Sequence, residues 1–372
     1  MRHSRVLAAL LASTLIPTST CYAQSSASLY GVVDAGLRET GGLNASNAPT
    51  PPGHTTSLTS GVNNTSVWGI KGQEDLGGGW KAVLRLEGGV NVDAGTQAKS
   101  DRLFDRHAWV GLDSPYGMLA LGRQPSLISD ALATVDPLGK RYASFNPNIN
   151  VAGLSNTAFG THKFGVQYGP SGYADNFYRL DNTVKYTGTF GHWQARAAYS
   201  AGEVAGDSSA ASSHGVALAY QDADFAVSGV TMQFRSPQDL PLDAWSLGAA
   251  LKLAGWQFKA NVARNEANTG LNDLGLEKTV HQRVLSAGVS RKVGYGLLLT
   301  TAWYDVRREA TGFVDDGFDR GFVYLEKSLA PRTTAYVEAD YTVWRGDAAG
   351  LTASHTNDRH GTGLTLGLMQ KF

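Results

Sequence analysis

The strongest constraint on this chain is an alternation of apolar and polar residues that recurs along its length. It is clearest in "WSLGAALKL" (245–253), "WQFKANV" (256–262) and "TAYVEADYTVW" (334–344). Successive side chains of a β-strand point to opposite faces, so each segment has one apolar face and one face that is polar or small. The repeated period of two residues predicts an all-β protein.

Connections of two lengths join these segments and alternate along the chain. Short turns such as "DLGGG" (75–79) and "LAG" (253–255) are followed by longer polar connections, of which 124–178 is the longest. Seven short turns and eight long loops predict sixteen strands. Each runs for about ten residues, the length of a tilted strand that crosses hydrocarbon. No stretch approaches the roughly 18 consecutive apolar residues of a membrane helix.

Aromatic residues near the strand ends distinguish a membrane barrel from a soluble sheet protein. Those beside short turns and at the chain end are Trp80, Trp193, Phe225, Trp256 and Phe372. Those near the opposite strand ends are Trp68, Trp245 and Trp344. Two aromatic girdles around an apolar band are typical of a transmembrane barrel, whose closure also pairs every backbone polar group inside lipid. The sequence therefore predicts a 16-stranded antiparallel transmembrane β-barrel with short periplasmic turns and long external loops. A secreted sandwich or lectin is the weaker alternative.

The first 23 residues predict an export signal. Arg2 and Arg5 precede an apolar run that is too short to span a bilayer, and "CYA" (21–23) predicts cleavage after Ala23. A lipoprotein signal ending at Cys21 is the alternative, but "TSTC" lacks its usual pattern. The barrel domain is then 24–372, which contains no cysteine. Without Arg2 and Arg5 it has 30 basic and 32 acidic residues, a balance that does not indicate a nucleic-acid partner.

Five features in order along 24–372 resemble the trimeric general porins of Gram-negative bacteria. They are "SLYGVVDAGL" (28–37), "WGIKGQEDLGGGWKAVLRLE" (68–87), "FDRHAWVGLDSPYGMLALGRQ" (104–124), "RLDNTVKY" (179–186) and the terminal Phe372. The resemblance implies a homotrimer of water-filled barrels whose third loop folds inward and narrows the lumen. It implies passive diffusion of small hydrophilic solutes and ions, with no catalysis, cofactor or metal. The implied partners are outer-membrane lipid and lipopolysaccharide, and an assembly machinery that reads Phe372.

The third loop of this family carries acids that face basic residues on the wall, and the resulting field selects solutes by charge. Strand parity points Tyr30, Asp34 and Arg38 inward on the first strand, and Lys81, Arg85 and Glu87 inward on the third. With the resemblance, the implied wall cations are Arg38, Lys81, Arg85, Arg106, Arg123 and Arg179, and the implied loop acids are Asp130 and Asp136. Arg106 is assigned on the condition that His107 and Trp109 point to lipid. The alternative is that these charges pair with neighbouring carboxylates and fill the lumen structurally.

Two departures from the family pattern leave the sign of the selectivity open. Val67 stands where the second strand commonly has an arginine, and the third loop reads "DALATVDPLGKRY" (130–142) instead of the familiar acidic tip. Lys140 and Arg141 would cancel part of the acidic charge of that loop.

Other functions have weaker support in the sequence. A substrate-selective channel of the same fold would use loop aromatics such as Tyr142 and Phe145. A barrel lipid hydrolase would need a lipid-facing catalytic histidine such as His107, but no motif supplies its serine. The external loops have no repeats that would favour an adhesin. "DDGFD" (315–319) has three carboxylates without the spacing of a calcium loop.

Overall fold

The computed structural model describes residues 25–44, 47–141, 146–150, 178–271, 273–311, 315–346 and 359–372. The export signal predicted for 1–23 lies outside the described residues. The strands are β1 (Ser26–Leu43), β2 (Pro49–Ser60), β3 (Val67–Gly77), β4 (Trp80–Asn91), β5 (Thr96–Gln97), β6 (His107–Ser114), β7 (Gly117–Pro125), β8 (Arg179–Phe190), β9 (Trp193–Ser200), β10 (Ser213–Gln221), β11 (Phe225–Arg235), β12 (Pro241–Leu253), β13 (Trp256–Leu271), β14 (Glu277–Gly294), β15 (Leu297–Ala310), β16 (Asp316–Ala330), β17 (Thr333–Arg345) and β18 (His360–Lys371). The helices α1 (Leu127–Val135) and α2 (Pro147–Asn150) lie between β7 and β8.

The strands pair antiparallel around a closed ring. β18 pairs with β1, from Val32 opposite Lys371 to Gly41 opposite Thr362. β2 and β3 both pair with β1 and occupy one position in the wall. β5 pairs with β4 in the loop above the wall. Sixteen wall positions result, and the predicted 16-stranded antiparallel barrel is confirmed.

Side chains alternate between the lumen and the exterior, as the sequence pattern predicts. On β12, Leu242, Ala244 and Ser246 are buried inside, whereas Trp245 and Leu247 are 42% and 51% exposed on the outer face. Large apolar side chains are exposed in the same way on strands all around the ring. A soluble protein rarely exposes so much contiguous apolar surface, but the lipid-facing band of a barrel requires it.

The aromatics predicted beside the short turns lie on the outer face. Trp80, Trp193, Trp256 and Phe372 are all exposed there, and the Arg291 guanidinium lies 4.7 Å from the Trp256 ring. The other predicted girdle is only partly correct. Trp344 is buried inside the barrel, because it shares the parity of the lumen-facing residues of β17. None of the described helices is long and apolar enough to cross a membrane.

Two apolar clusters fill much of the barrel interior, one around helix α1 and one around the aromatic side chains of β15 to β17. Helix α1 begins at the cap residue Ser126, whose hydroxyl accepts a hydrogen bond from the Ser129 amide. The helix packs Leu127, Ile128 and Leu132 against inner-face side chains of β9 to β13. The predicted inward third loop is thus confirmed in its described part. On the other side, the aromatic side chains of β15 to β17 are buried with Leu43, Val62 and Leu138. A cavity remains open between the inward loop and the wall at β3 to β8.

The terminal residue forms the last rung of the seam that closes the barrel. The Gly31 amide donates to the Phe372 carbonyl, and the Phe372 amide donates to the Gly31 carbonyl, both at 3.1 Å. The Phe372 ring lies over Gly31, where a Cβ atom would collide with it. Leu364, Leu366 and Leu368 form the exposed outer face of the same strand.

Deleting Phe372 is expected to impair assembly of the barrel. The deletion removes two seam hydrogen bonds, worth about 2 kcal/mol together, and the ring that covers Gly31. The measurement is the fraction of heat-modifiable folded barrel in membrane extracts. Phe372→Tyr keeps the ring and the backbone bonds and should assemble normally. Equal folded fractions for the deletion and the unaltered chain would contradict the expectation.

Candidate functional site: a charged cavity beside the inward loop

A cavity of 720 Å³ separates the inward loop from the wall at β3 to β8. The charged and titratable side chains that line it are Arg85, Glu87, Lys99, Asp105, Arg106, His107, Asp130, Lys140, Arg141 and Arg179. Six of these are Lys or Arg, against three Asp or Glu. Of the predicted residues, the structure therefore brings together Arg85, Arg106, Arg179 and Asp130.

Glu87 organises the wall side of the cavity by binding two arginines at once. Its Oε2 accepts hydrogen bonds from Arg85 at 2.5 Å and Tyr30 at 2.7 Å, and its Oε1 accepts from Arg106 at 2.7 Å. Arg85 also donates to the Tyr30 hydroxyl at 2.8 Å. The side chains of Arg85 and Arg106 are 29% and 20% exposed, whereas that of Glu87 is 4% exposed. The two cations therefore face the cavity, and the single carboxylate lies behind them.

Asp130 is a loop acid that lines the cavity, and a wall lysine balances its charge. The Lys185 ammonium on β8 donates to Asp130 Oδ2 at 2.8 Å and to the Pro125 carbonyl at 3.0 Å. Lys185 is buried behind the loop. Because this ion pair is complete within the loop and wall, Asp130 adds little net negative charge to the cavity.

The loop adds two cations to its own side of the cavity. The Lys140 ammonium donates to the Ser129 carbonyl at 3.1 Å and hydroxyl at 3.2 Å, which are neutral acceptors. Arg141 forms an ion pair with Glu326 and lies 4.5 Å from the Tyr324 ring. Lys140 therefore adds positive charge beside the cavity, because its described acceptors carry no negative charge.

Three predicted wall cations lie away from the cavity. Arg38 is buried at the seam beside β17 and β18, where it is paired with Glu338 at 3.0 Å and Asp340 at 2.7 Å. Arg123 is buried within the wall, where it donates to Asp181 at 2.5 Å. Lys81 lies near the short-turn end of β4, opposite Asp75 and Asp113. Arg38 and Arg123 thus match the alternative interpretation, in which charges are paired structurally.

Asp136 does not line the cavity either, because it is fully buried. Its carboxylate accepts hydrogen bonds from the Tyr304 hydroxyl at 3.1 Å and the Asn148 amide at 2.8 Å. It also accepts from the Lys140 backbone amide at 2.7 Å and the Asn146 side chain at 3.1 Å. Asp136 therefore anchors the inward loop to the wall through Tyr304.

The condition placed on Arg106 is wrong, although Arg106 does reach the cavity. His107 and Trp109 face the lumen, where the Trp109 indole donates to His107 Nδ1 at 3.0 Å. Val110 and Leu112 are the exposed outer residues of β6. Arg106 precedes the strand, which starts at residue 107, so the alternation does not apply to it.

Several cavity residues could not be recognised in the sequence. Lys99 and Asp105 lie in the irregular loop before β6, where no periodicity shows which way a side chain points. Ser60, Gly61 and residues 64–66 also contribute to the lining, because the wall departs from the ladder there. Val67 does occupy a lumen-facing wall position and is buried. Tyr142 and Phe145 lie outside the described residues.

Comparison with known proteins agrees with this architecture. The family model described as Gram-negative porin matches residues 7–347. The chain belongs to the Gram-negative porin family. An outer membrane porin protein of Bordetella pertussis is 33% identical over 167 residues, covering 43% of this porin and 43% of the relative. Outer membrane porin protein 32 of Delftia acidovorans is 31% identical over 200 residues, covering 54% of this porin and 49% of the relative. The porin thus spans less than half the length of these two relatives in the matches.

Solved structures show the same fold over nearly the whole porin. The anion-selective porin from Comamonas acidovorans superposes with a TM-score of 0.70 at 23% identity, covering 94% of this chain and 100% of that one. OmpT of Vibrio cholerae, in its trimer form, superposes with a TM-score of 0.66 at 14% identity, covering 94% and 99%. Together with the names of the relatives and the apolar exterior, these findings place the barrel in the bacterial outer membrane.

Replacing Asp136 with alanine is expected to release the inward loop. The change leaves the Tyr304 and Asn148 donors without their charged acceptor, which lowers the free energy of loop opening by about 3 kcal/mol. Amides of α1 should then exchange with solvent roughly a hundredfold faster, as measured by hydrogen exchange and mass spectrometry. Asp243→Ala removes an exposed carboxylate on the outer face and should leave this exchange unchanged. Unaltered exchange in Asp136→Ala would show that the carboxylate does not anchor the loop.

Proposed function

We propose that this porin is a passive diffusion channel for small hydrophilic solutes and ions, with a preference for anions. The observation that carries the proposal is the excess of cations at the cavity, where Arg85 and Arg106 share one recessed carboxylate. Lys140 adds a charge whose described partners are neutral, and Lys185 balances Asp130. A permeating anion therefore meets a net positive potential at the narrow part of the lumen.

The family match and the fold support the channel part of this proposal. A similar fold occurs in a porin whose title calls it anion-selective, but at 23% identity the comparison supports the architecture alone. The sign of the selectivity therefore depends on the charges of this chain.

We further propose an export signal at 1–23, a barrel domain at 24–372 and a homotrimer. The homotrimer is proposed because an OmpT structure of the same fold is titled as a trimer.

The alternative functions have less support. A lipid hydrolase would need a histidine on the outer face, but His107 faces the lumen and accepts a hydrogen bond from Trp109. A divalent-ion site at 315–319, where β16 begins, is weakened by the pairing of Asp316 with Arg308 and of Asp319 with Arg345. The described residues contain no group of three or more potential metal ligands. Lipopolysaccharide and the barrel-assembly machinery remain proposed partners of the outer face and of Phe372.

Neutralising the exposed arginines should weaken the anion preference. In Arg85→Gln and in Arg106→Gln, the chloride-to-potassium permeability ratio is expected to fall by about twofold, since each change removes one charge a few ångströms from the ion path. Reversal potentials in planar bilayers under a KCl gradient give the ratio. Arg235→Gln removes an arginine that pairs with Asp239 outside the cavity and should leave the ratio unchanged. Unchanged reversal potentials in both cavity variants would contradict the proposal that Arg85 and Arg106 set the anion preference.

The anion preference should also decline as salt rises. The Debye length falls from about 10 Å at 0.1 M salt to about 3 Å at 1 M, so the wall charges then act over less of the lumen. Reversal potentials measured at a fixed KCl ratio, at low and at high mean concentration, should move toward zero as the mean concentration rises. A preference that did not change with salt would indicate selection by a mechanism other than these fixed charges.

A further inference from the structure

The connection between β2 and β3, which share one position in the wall beside β1, has four more residues than the facing stretch of β1. Val67 of β3 lies opposite Val32 of β1, and Ser60 of β2 lies opposite Ala35. Only residues 33 and 34 separate the two partners on β1, whereas six residues, 61–66, separate them on the other strand. An ordinary β-bulge adds one residue, so this is a larger insertion into the ladder.

The insertion folds into the lumen and is held there by Asp34. The Asp34 side chain faces inward and is fully buried, and its Oδ2 accepts from the Asn64 amide at 3.0 Å. The Asp34 carbonyl accepts from the Gly61 amide at 2.8 Å and from the Ser66 hydroxyl at 3.0 Å. Across the seam, the Tyr336 hydroxyl donates to Asp34 Oδ1 at 2.8 Å. The same carboxylate therefore ties the insertion to both β1 and β17.

The neck of the insertion is closed by β4 on its other side. The Val90 amide donates to the Ser66 carbonyl at 3.0 Å, and the Ser60 hydroxyl donates to the Val90 carbonyl at 3.2 Å. The Val92 amide donates to the Ser60 hydroxyl at 2.9 Å. With bonds on both flanks, the insertion has a defined conformation.

The tip of this insertion lines the charged cavity, as do Asp130 and Lys140 of the inward loop. Asn64 and Thr65 form the tip and are half-buried. The neighbouring Asn63 is buried, and neither of its side-chain amide atoms has a hydrogen-bond partner among the described residues. A buried amide without partners costs free energy. A regular two-residue ladder would avoid that cost, so stability alone does not account for the insertion.

We propose that residues 61–66 form a second constricting element, which together with the inward loop sets the cross-section of the channel. The tip residues carry no charge, so the element limits the size of a solute and leaves the sign of selection to the arginines and Lys140. This inference rests on the proposed channel activity but not on its anion preference.

A cysteine at the tip tests the proposal, because the chain from residue 24 contains no other cysteine. In Thr65→Cys, a methanethiosulfonate reagent carrying a sulfonate and one carrying a trimethylammonium should each lower the single-channel conductance by about twofold. Equal effects of opposite charges identify a steric restriction. Ser208→Cys, exposed in the loop between β9 and β10, should be labelled without a change in conductance.

Deleting residues 62–65 provides the opposite test. The deletion leaves Gly61 opposite residue 34 and Ser66 opposite residue 33, so the ladder can continue evenly and the lumen widens. Conductance and the largest polyethylene glycol that enters the channel should both increase. Complete labelling of Thr65→Cys with unchanged conductance would overturn the proposal, even if the deletion variant failed to fold. An unaltered chain that does not conduct would instead overturn the proposed channel function.

Discussion

Closure of the backbone hydrogen-bond ladder is the constraint on which the rest of this structure depends. In lipid, an unpaired amide or carbonyl has no water to bind, so a sheet can cross the membrane only as a closed ring. Here the ring closes where β1 meets β18, and the last rung joins Gly31 to Phe372. Closure forces every strand to present one face to lipid and the other to the lumen. The period of two in the sequence is the consequence.

A ring of sixteen strands is too wide for its own side chains to fill, so segments of the chain fold into it. Helix α1 packs on β9 to β13, and an aromatic layer from β15 to β17 packs on Leu43, Val62 and Leu138. These apolar contacts leave the charged cavity open at β3 to β8. Buried ion pairs such as Arg38 with Glu338 and Asp340 lie beside the aromatic layer of β15 to β17, away from the charged cavity. This explains why an inward-facing arginine need not face water.

The direction of a side chain could be predicted only where the residue lies in a regular strand, because the alternation of faces applies only there. Arg85 and Glu87 lie within a regular strand, so parity places both in the lumen correctly. The outward face assumed for His107 is wrong because it is tied to an inward Arg106, which precedes β6 and does not share its alternation. The outer residues of β6 are Val110 and Leu112. Asp136 lies in a loop without a period, and its burial depends on Tyr304, far away in the chain. Trp344 shows the same limit for aromatics, because an aromatic near a strand end fits the girdle or the interior equally well.

The two inward segments are held by different forces, which separates the properties they control. The inward loop is held by apolar packing of α1 and by the Asp136 anchor, and it presents Lys140 to the cavity. The 61–66 insertion is held by hydrogen bonds to Asp34, and it presents uncharged Asn64 and Thr65. Substitutions at Lys140 change charge without touching the Asp34 contacts, and changes in the length of the insertion alter width without adding charge.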